Sequence, residues 1–380
     1  MDLQYSPEQD QLRDSVERYV REEYDFDTRR RILGAGGFSP DRWRAFADLG
    51  WFAVPFPEAE GGLDGSALDL GLVMQGIGRA LVLEPVLPTL IGGLLISRLG
   101  DAAQKAGWIE RVISGEARLA LALTEPAARF DLSRMTTTAR KTPGGWRLDG
   151  AKSLVPGGDQ AQALLIPARD DSGGISLYIV PADTPGLSLR AVVTHDGTGA
   201  ADLRLEALEL PDSALLGPAG GARADLDWAS DLTTTALAWE AAGAMAVLVE
   251  TTLDYLKTRR QFGQPLSANQ ALQHRMVDMT VALEEARASA LAAALKMSGT
   301  DPAARARAVA LAKIEINRTA RLVGQEAVQL HGAVGMTEEL AASHYFKRLT
   351  TIRQICGTTD WRIDQIARLD AATRTAPAAA

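Results

Sequence analysis

The sequence is short of the residues on which several classes of protein depend. One cysteine among 380 residues excludes an intrachain disulfide framework and suits a reducing compartment. The four histidines, His195, His274, His331 and His344, stand far apart with no thiols beside them, so no metal site is expected. Positive charge is not in excess: the net charge of -8 argues against the basic face of a nucleic-acid binder. The opening Met1-Asp2-Leu3-Gln4 has neither a basic region nor an apolar one, so no signal peptide is expected and the expected location is cytoplasmic. A membrane span is not expected either. The most apolar run, Leu232 to Val249, contains Thr233, Thr234, Thr235, Gly243 and Glu240 and lacks flanking basic belts. No internal repeat is visible.

What is present is a globular composition, 46% apolar and 23% charged, in a chain long enough for two or three lobes. Ser6-Pro7-Glu8-Gln9 is a helix start, with Ser6 as cap, Pro7 at the first helical position and Gln9 closing a capping box. Leu12, Val16 and Val20 follow at a spacing of four, one apolar stripe. The helical pattern predicts an N-terminal helical domain over 1–116. From Ala117 short apolar runs end at Pro126, Pro167 and Pro181. Gly144-Gly145 separates two strand-like segments as a hairpin would, and Leu187 to Arg190 alternates like a half-buried strand. A middle antiparallel β domain, sheet or small barrel, is predicted over 117–222. Long helical patterns return over 223–372, with a second capping box expected at Ser267 to Gln270 and a helix start at Asp301-Pro302. They predict a C-terminal four-helix bundle, followed by an Ala/Pro-rich frayed tail over 373–380. The fold class is therefore α+β, mostly α.

The motifs narrow the function. Leu123-Thr124-Glu125-Pro126 closes the first strand. Tyr255 and Arg259-Arg260-Gln261-Phe262-Gly263-Gln264-Pro265 lead to Gln270 and Asp278-Met279. Gln329-Leu330-His331-Gly332-Ala333-Val334-Gly335-Met336 follows, then His344-Tyr345-Phe346-Lys347-Arg348, then Cys356-Gly357-Thr358. In this order and at these separations the set resembles the acyl-CoA dehydrogenase family along almost the whole chain. The nearest similarity is to its small-subunit, pimeloyl-CoA type. The resemblance implies a tetrameric, FAD-binding oxidoreductase that desaturates acyl-CoA thioesters between Cα and Cβ, in lipid or dicarboxylate catabolism. A base removes the α proton, the β hydrogen leaves as hydride to the flavin, and electrons pass to an electron-transferring flavoprotein.

The family builds each flavin site from two chains. By resemblance, Arg259 binds pyrophosphate, its fixed fork suiting phosphate oxygens. Phe262, Gln270 and Gln329 fall on the adenine side; Gln261, Leu330 and Ala333 are further cofactor-binding positions, with alanine at 333 where glycine is usual. Leu123 and Thr124 fall on the flavin-ring side, while Thr358 and Asp360 follow the catalytic position. The ring half departs from the family: its Gly-Ala-Gly-Ser-Asp is Ala127 to Asp131, which puts Phe130 in place of a serine. Its Trp-Ile-Thr is Leu154-Val155-Pro156, and a proline has no N–H to donate.

The catalytic carboxylate departs further. Counted from Gly332 to Gly335, the family's glutamate falls on Cys356; the alternative base position, counted back from Phe262, is Thr233. A thiol is a poor substitute, although the main-chain N–H at 356 is retained. Glu240, alone in an apolar helix, is the remaining candidate. It is either a relocated base with a raised pKa or a structural carboxylate paired with an arginine of a neighbouring helix. It lies two turns beyond Thr233, roughly 10 Å along the axis. Arg259 has a structural alternative as a surface ion-pair residue, and Gln270 as a capping residue. His331 is expected to pack beside the glycine turn, and Lys347-Arg348 is either solvated or close to CoA. Three functions follow. The chain is the base-less subunit of a heteromeric acyl-CoA dehydrogenase, an active homo-oligomer using Glu240, or a relic that binds acyl-CoA or a partner without FAD.

Overall fold

The structure, a computed structural model, describes residues 4–261 and 263–375. Six helices come first: α1 Pro7–Glu23, α2 Phe26–Gly34, α3 Pro40–Asp48, α4 Ala67–Ala80, α5 Val86–Leu99 and α6 Ala102–Ile113. Their starts are written in the sequence. Ser6 accepts from the Gln9 amide while the Gln9 side chain accepts from the Ser6 amide, and Ser66 and Asp101 form the same reciprocal box with Asp69 and Gln104. Val16 and Val20 are buried as the apolar stripe predicted.

Eight strands follow: β1 Leu119–Leu121, β2 Thr138–Thr142, β3 Gly145–Pro156, β4 Ala163–Arg169, β5 Ile175–Pro181, β6 Leu187–Val193, β7 Gly199–Leu210 and β8 Leu215–Leu216. They form one sheet in the order β6-β7-β3-β2-β4-β5-β8, with β1 on β4. The β2–β3 hairpin turns where Gly144-Gly145 predicted, pairing Thr142 with Gly145. Most pairs are antiparallel, but β1 and β2 both run parallel to β4, which alternation alone could not show. β4 and β5, buried along nearly their whole length, are continuous apolar runs because both faces are covered. β6 is not the half-buried strand expected. It is an edge, and Leu189 stays 36% exposed.

The C-terminal region comprises α7 Arg223–Thr258, a short hairpin of β9 Arg260–Gln261 and β10 Gln264–Pro265, then α8 Gln270–Met297, α9 Pro302–His331, α10 Ala341–Gln354 and α11 Thr359–Thr375. The expected capping box at Ser267 does not form. Ser267 is taken into a short 3-10 turn behind Pro265, and Asn269 caps α8 instead, accepting from the Ala271 amide at 3.0 Å. Asp301 caps α9. The segment expected to complete four helices is divided into α10 and α11, both packed on α9, with a break at Ile355–Thr358. α11 runs to Thr375; residues 376–380 of the expected tail lie outside the described residues. α7 is long and apolar enough to cross a membrane, but 89% of its apolar window is buried in protein, as a core helix requires.

Contacts group the chain into two compact units in an order different from that of the sequence. One holds the chain up to Arg30, Ser66–Val82 and the chain from Asp231; the other holds Arg31–Gly65 and Leu83–Ser230. In the first, α4 meets α7 at backbone distance. A Cβ on Gly78 would lie 1.9 Å from the Glu240 carbonyl oxygen, and one on Gly243 2.0 Å from that of Gln75. In the second, α5 packs on β1 and α6.

Candidate functional site

The site residues fall into three groups. The first lies at the end of α7 and α9. The Arg259 amide closes on the Tyr255 carbonyl at 2.8 Å, and Leu266 donates to Arg259 at 2.9 Å, fixing the base of the β9–β10 hairpin. The Tyr255 ring lies tilted against that of His331 with centroids 4.6 Å apart, and its hydroxyl donates to the His331 carbonyl at 3.4 Å. The hairpin is thereby tied to the glycine turn that ends α9. His331 is buried and its Nδ1 meets the Ala327 carbonyl at 2.8 Å, so it packs as expected. Gly332 ends the helix at φ +66 with open space where a side chain would stand, while a Cβ on Gly335 would meet the Val328 carbonyl at 2.6 Å. Around this support Arg259, Gln261, Gln270, Gln329 and Ala333 are exposed and Leu330 is buried. The Arg259 guanidinium has no hydrogen-bond or ion-pair partner among the described residues. Phe262 lies outside the described residues. An acid-free arginine, exposed side-chain amides and an open glycine turn form a donor set suited to a pyrophosphate and an adenine.

The second group is on the sheet. Leu123 and Thr124 follow β1 and are half-buried; the Thr124 carbonyl accepts from the Ser153 amide at 2.9 Å. Next to them Glu125 and Lys152 form an ion pair at 2.8 Å with side chains 1% and 0% exposed. Glu125 also accepts from the Thr137 amide and from the amide and hydroxyl of Thr136. Burial alone would raise this carboxyl, but Lys152 and these donors outweigh it and hold it at about 2. Burial brings Lys152 down to about 8 against the pull of Glu125. The flanking loop is strained where the family has glycine: Arg129 has φ +50, and its guanidinium lies 5.5 Å from the Phe130 ring centroid. Across from it β3 slips register between Lys152 and Val155, a bulge with Leu154 at φ +48 and 53% exposed. The Leu154 amide is given to Asp202 at 2.9 Å and that of Gly157 to Gly199 at 3.0 Å, and Pro156 has none. This edge keeps the Thr124 hydroxyl, but two of its amides are already used and Pro156 has none to give.

The third group is the break between α10 and α11. Cys356 is half-buried in a left-handed conformation, φ +55, and Gly357 follows at φ +101. Buried side chains hold this turn by its carbonyls. Arg362 donates from Nε and Nη2 to the Cys356 carbonyl at 3.0 and 2.6 Å, and from Nη2 to Thr234 at 2.9 Å. Asn317 donates to the Gly357 carbonyl at 3.5 Å and to Thr359 at 3.4 Å, and its own Oδ1 is buried without a partner among the described residues. Lys313 donates to the Ile352 carbonyl. It is 1% exposed, and burial lowers it to about 7 although Cys356 opposes the shift. Thr358 is half-buried and Asp360 exposed. Glu240, 2% exposed, meets Arg348 of α10 through both oxygens, at 2.5 and 2.9 Å. Thr233 is half-buried on α7. Lys347 pairs with Glu338.

No motif in the sequence marks Lys313, Asn317 or Arg362. A signal existed for two of them: Lys313 and Asn317 interrupt the buried stripe of Val309, Ala312, Ile316 and Ala320 four residues apart, so both face inward on α9. The pairing of Glu125 with Lys152 carries no such signal, because it depends on sheet register.

Helices, then one sheet, then long helices, with a cofactor-type donor set at a glycine turn, define the class of flavoprotein oxidoreductases built on this fold. Sequence profiles of the acyl-CoA dehydrogenase N-terminal, middle and C-terminal domains match residues 6–116, 120–210 and 229–369. The chain belongs to the acyl-CoA dehydrogenase family, oxidoreductases acting on CH–CH groups. It is 30% identical over 365 residues to acyl-CoA dehydrogenase fadE12 of Mycobacterium tuberculosis, covering 92% of this chain and 93% of that protein. To an L-prolyl-[peptidyl-carrier protein] dehydrogenase of Serratia sp. it is 28% identical over 381 residues, 97% of this chain and 98% of that one. Among solved structures, a single-residue variant of the Tcur3481-Tcur3483 steroid ACAD superposes with a TM-score of 0.89 at 28% identity, covering 97% of this chain and 99% of that one. PigA with FAD and proline gives 0.90 at 27%, covering 98% and 100%.

Proposed function

We propose that this chain is the subunit of a heteromeric, FAD-dependent acyl-CoA dehydrogenase that brings no catalytic carboxylate of its own. A partner chain supplies the glutamate. The observation that carries this reading is the turn at Cys356. Counted along the sequence, it occupies the position of the family's base, and the one buried carboxylate proposed as a substitute, Glu240, is held by Arg348 through both oxygens. Removing one partner of such a pair leaves a buried charge uncompensated, so Glu240 serves packing of α7 on α10. Arg259 takes the pyrophosphate of FAD. Gln261, Phe262, Gln270, Gln329, Leu330 and Ala333 take the adenine side, Thr358 and Asp360 follow the turn, and Leu123 and Thr124 face the ring side. When bound, FAD supplies the hydride acceptor. The substrate is an acyl-CoA thioester, with a pimeloyl-type dicarboxylyl chain the first to test. The complex is a cytoplasmic heterotetramer that passes electrons to an electron-transferring flavoprotein.

The reading fits the contrast between the bundle end, whose donors are open, and the sheet edge, where two amide donors are already used. It also fits a two-component name on a similar structure. The test is the visible spectrum of the chain purified alone and co-purified with an acyl-CoA dehydrogenase encoded beside it, before and after acyl-CoA is added. Flavin content and bleaching by substrate are expected to rise with the partner. Full FAD occupancy and turnover by this chain alone overturn the proposal. Loss of flavin reduction in a Glu240→Gln variant, with its fold intact, would instead favour a homo-oligomer using Glu240. A colourless complex that still binds acyl-CoA would favour a ligand-binding relic.

A further inference from the structure

His344 and Tyr345, near the start of α10, are both buried. The Tyr345 hydroxyl donates to the Arg79 carbonyl at the end of α4. His344 meets a partner on each side of its ring. The buried Arg29 of α2 brings Nη1 to 3.0 Å from His344 Nδ1, while its Nε donates to the Leu81 carbonyl at 3.0 Å. On the far side His344 Nε2 lies 3.1 Å from the Glu338 carbonyl. Arginine has donors only and stays protonated, so Nδ1 accepts and the single ring proton sits on Nε2, facing Glu338. A doubly protonated ring would set its own N–H against that of the guanidinium, donor to donor and like charge to like charge. The arrangement therefore requires a neutral His344. Burial, helped by Arg29, brings the ring below its ordinary 6.5 against the pull of the Glu338 carbonyl and carboxylate. The charged groups acting on the ring are Arg29 from α2, Glu338 from the connecting loop, and Lys347 of α10. The Glu338 carboxylate lies 3.3 Å from Nε2 and is paired with Lys347. α4 brings Arg79 to the neighbouring Tyr345, and that arginine pairs with Glu250 at 3.0 Å. Phe26 of α2 meets the imidazole edge-on, with centroids 4.9 Å apart.

Glu338 stands just beyond the glycine turn Gly332–Met336. Between them Thr337 closes back on that turn, its amide and hydroxyl donating to the Val334 carbonyl at 3.1 and 2.8 Å. The turn is thus clamped at both ends, by Tyr255 on the His331 carbonyl and by His344 on the Glu338 carbonyl. We propose that His344 is a positioning residue for this turn: its neutral ring ties the segment leaving the turn to Arg29 and the end of α4, and its protonation frees that segment and weakens FAD binding. The inference rests on the flavin reading above, in which the turn takes the adenine side. The ring is neutral at neutral pH, and the clamp is lost as pH falls below 6.5 through the lowered value.

Two quantities test this on the co-purified complex between about pH 7.5 and about pH 5, the range in which a histidine titrates. One is hydrogen exchange of peptides covering 332–343 of this chain, corrected for the intrinsic pH dependence of exchange. The other is the Kd of FAD, read from the fluorescence of released flavin. In wild type, exchange of the segment should speed up as pH falls. The Kd should rise about tenfold, equivalent to one unit between the ring's pKa with and without FAD. His344→Gln, made in this chain alone, offers an acceptor to Arg29 and a donor to Glu338 with nothing to titrate. Both pH steps should disappear in it. Arg29→Gln removes a charge that opposes protonation and should move both steps to higher pH. If His344→Gln weakens FAD binding equally at both ends of the range and keeps the wild-type steps, His344 is only structural and the proposal is overturned. Exchange that does not change with pH in wild type overturns the clamp, and a step in exchange with a constant Kd overturns its role in positioning. A wild-type complex without FAD overturns the flavin reading, whereas an exchange step that His344→Gln abolishes still upholds the clamp. If His344→Gln does not fold, Arg29→Gln decides, and an unshifted midpoint overturns the proposal.

Discussion

Two lysines are buried to the same degree, Lys152 in the sheet and Lys313 in the helices, each 1% exposed, and their surroundings are opposite. Lys152 meets the carboxylate of Glu125, which also accepts from Thr136 and Thr137. Lys313 meets one carbonyl at the end of α10, and among the described residues no carboxylate pairs with it. The negative end of a helix is a partial partner for a cation, not a full one, and burial takes Lys313 lower, to about 7 against about 8. The first pair is a closed structural lock. The second cation has no such lock; Arg362 beside the same turn also feels the buried Asp231, and position 356, where the resembling family carries its carboxylate, is the one that both cations sense. The comparison teaches that the helical surroundings of position 356 still suit an anion although the side chain there is a thiol.

The sharpest way to break the comparison is to unlock the first pair. Glu125→Gln leaves Lys152 buried without a countercharge, and removing one partner of a buried pair costs about 3–5 kcal/mol. Urea unfolding followed by circular dichroism should show the midpoint falling at an unchanged slope. Acid acts on the same pair. The Glu125 carboxyl lies at about 2 in the fold, against an ordinary 4.5. Its contribution is therefore present above pH 4.5 and is lost as pH falls toward 2. If Glu125→Gln melts with the wild type at pH 7, the lock is not a lock.

Lys313 gives the opposite sign. Its folded pKa of about 7 lies below the ordinary 10.5. Between those values the unfolded chain binds a proton that the fold does not, so stability rises with pH from about 7 to 10.5 and is level below that window. The slope approaches about 1.4 kcal/mol per pH unit for one proton. Lys313→Met removes the titrating group, and its unfolding free energy should lack this component across the window. Cys356→Glu should remove it by another route, because a carboxylate beside Lys313 keeps the lysine protonated in both states. A wild-type stability that does not change between about pH 7 and 10 would show Lys313 to be compensated, and the contrast with Lys152 would disappear.

The fold was largely legible because its signals are local. Capping at Ser6 and Asp301, the turn at Gly144-Gly145 and the apolar length of α7 each follow from residues close in sequence. The misses share one cause, competition beyond the local stretch. Ser267 has the pattern of a cap, but Pro265 commits it to a 3-10 turn. Leu187 to Arg190 alternates as a half-buried strand does, but the sheet order makes it an edge. The parallel pairing of β1 with β4 depends on register between segments far apart in sequence, Leu119 against Ala163, and alternation carries no direction. At the site, motif order located Arg259, Gln329 and Cys356, whereas Arg362 and the Glu125–Lys152 pair emerge only when strands and helices are assembled.

The smallest expected effect concerns the conformation of position 356 itself. A residue with a Cβ in the left-handed region costs roughly 1–2 kcal/mol relative to one without, and Cys356 occupies it at φ +55. Cys356→Gly relieves that strain and loses part of the gain to the greater freedom of glycine in the unfolded chain, a net stabilisation of about 0.5–1 kcal/mol. The neighbouring position cannot take the reverse change, since a Cβ on Gly357 would lie 2.7 Å from the Trp361 ring and 2.8 Å from Arg362 Nε. A small rise in the urea midpoint for Cys356→Gly is therefore expected. It would separate the two parts of the turn, a replaceable side chain at 356 and a main chain that Arg362 holds. A midpoint that falls instead would show that packing of the half-buried thiol outweighs the strain of its left-handed backbone.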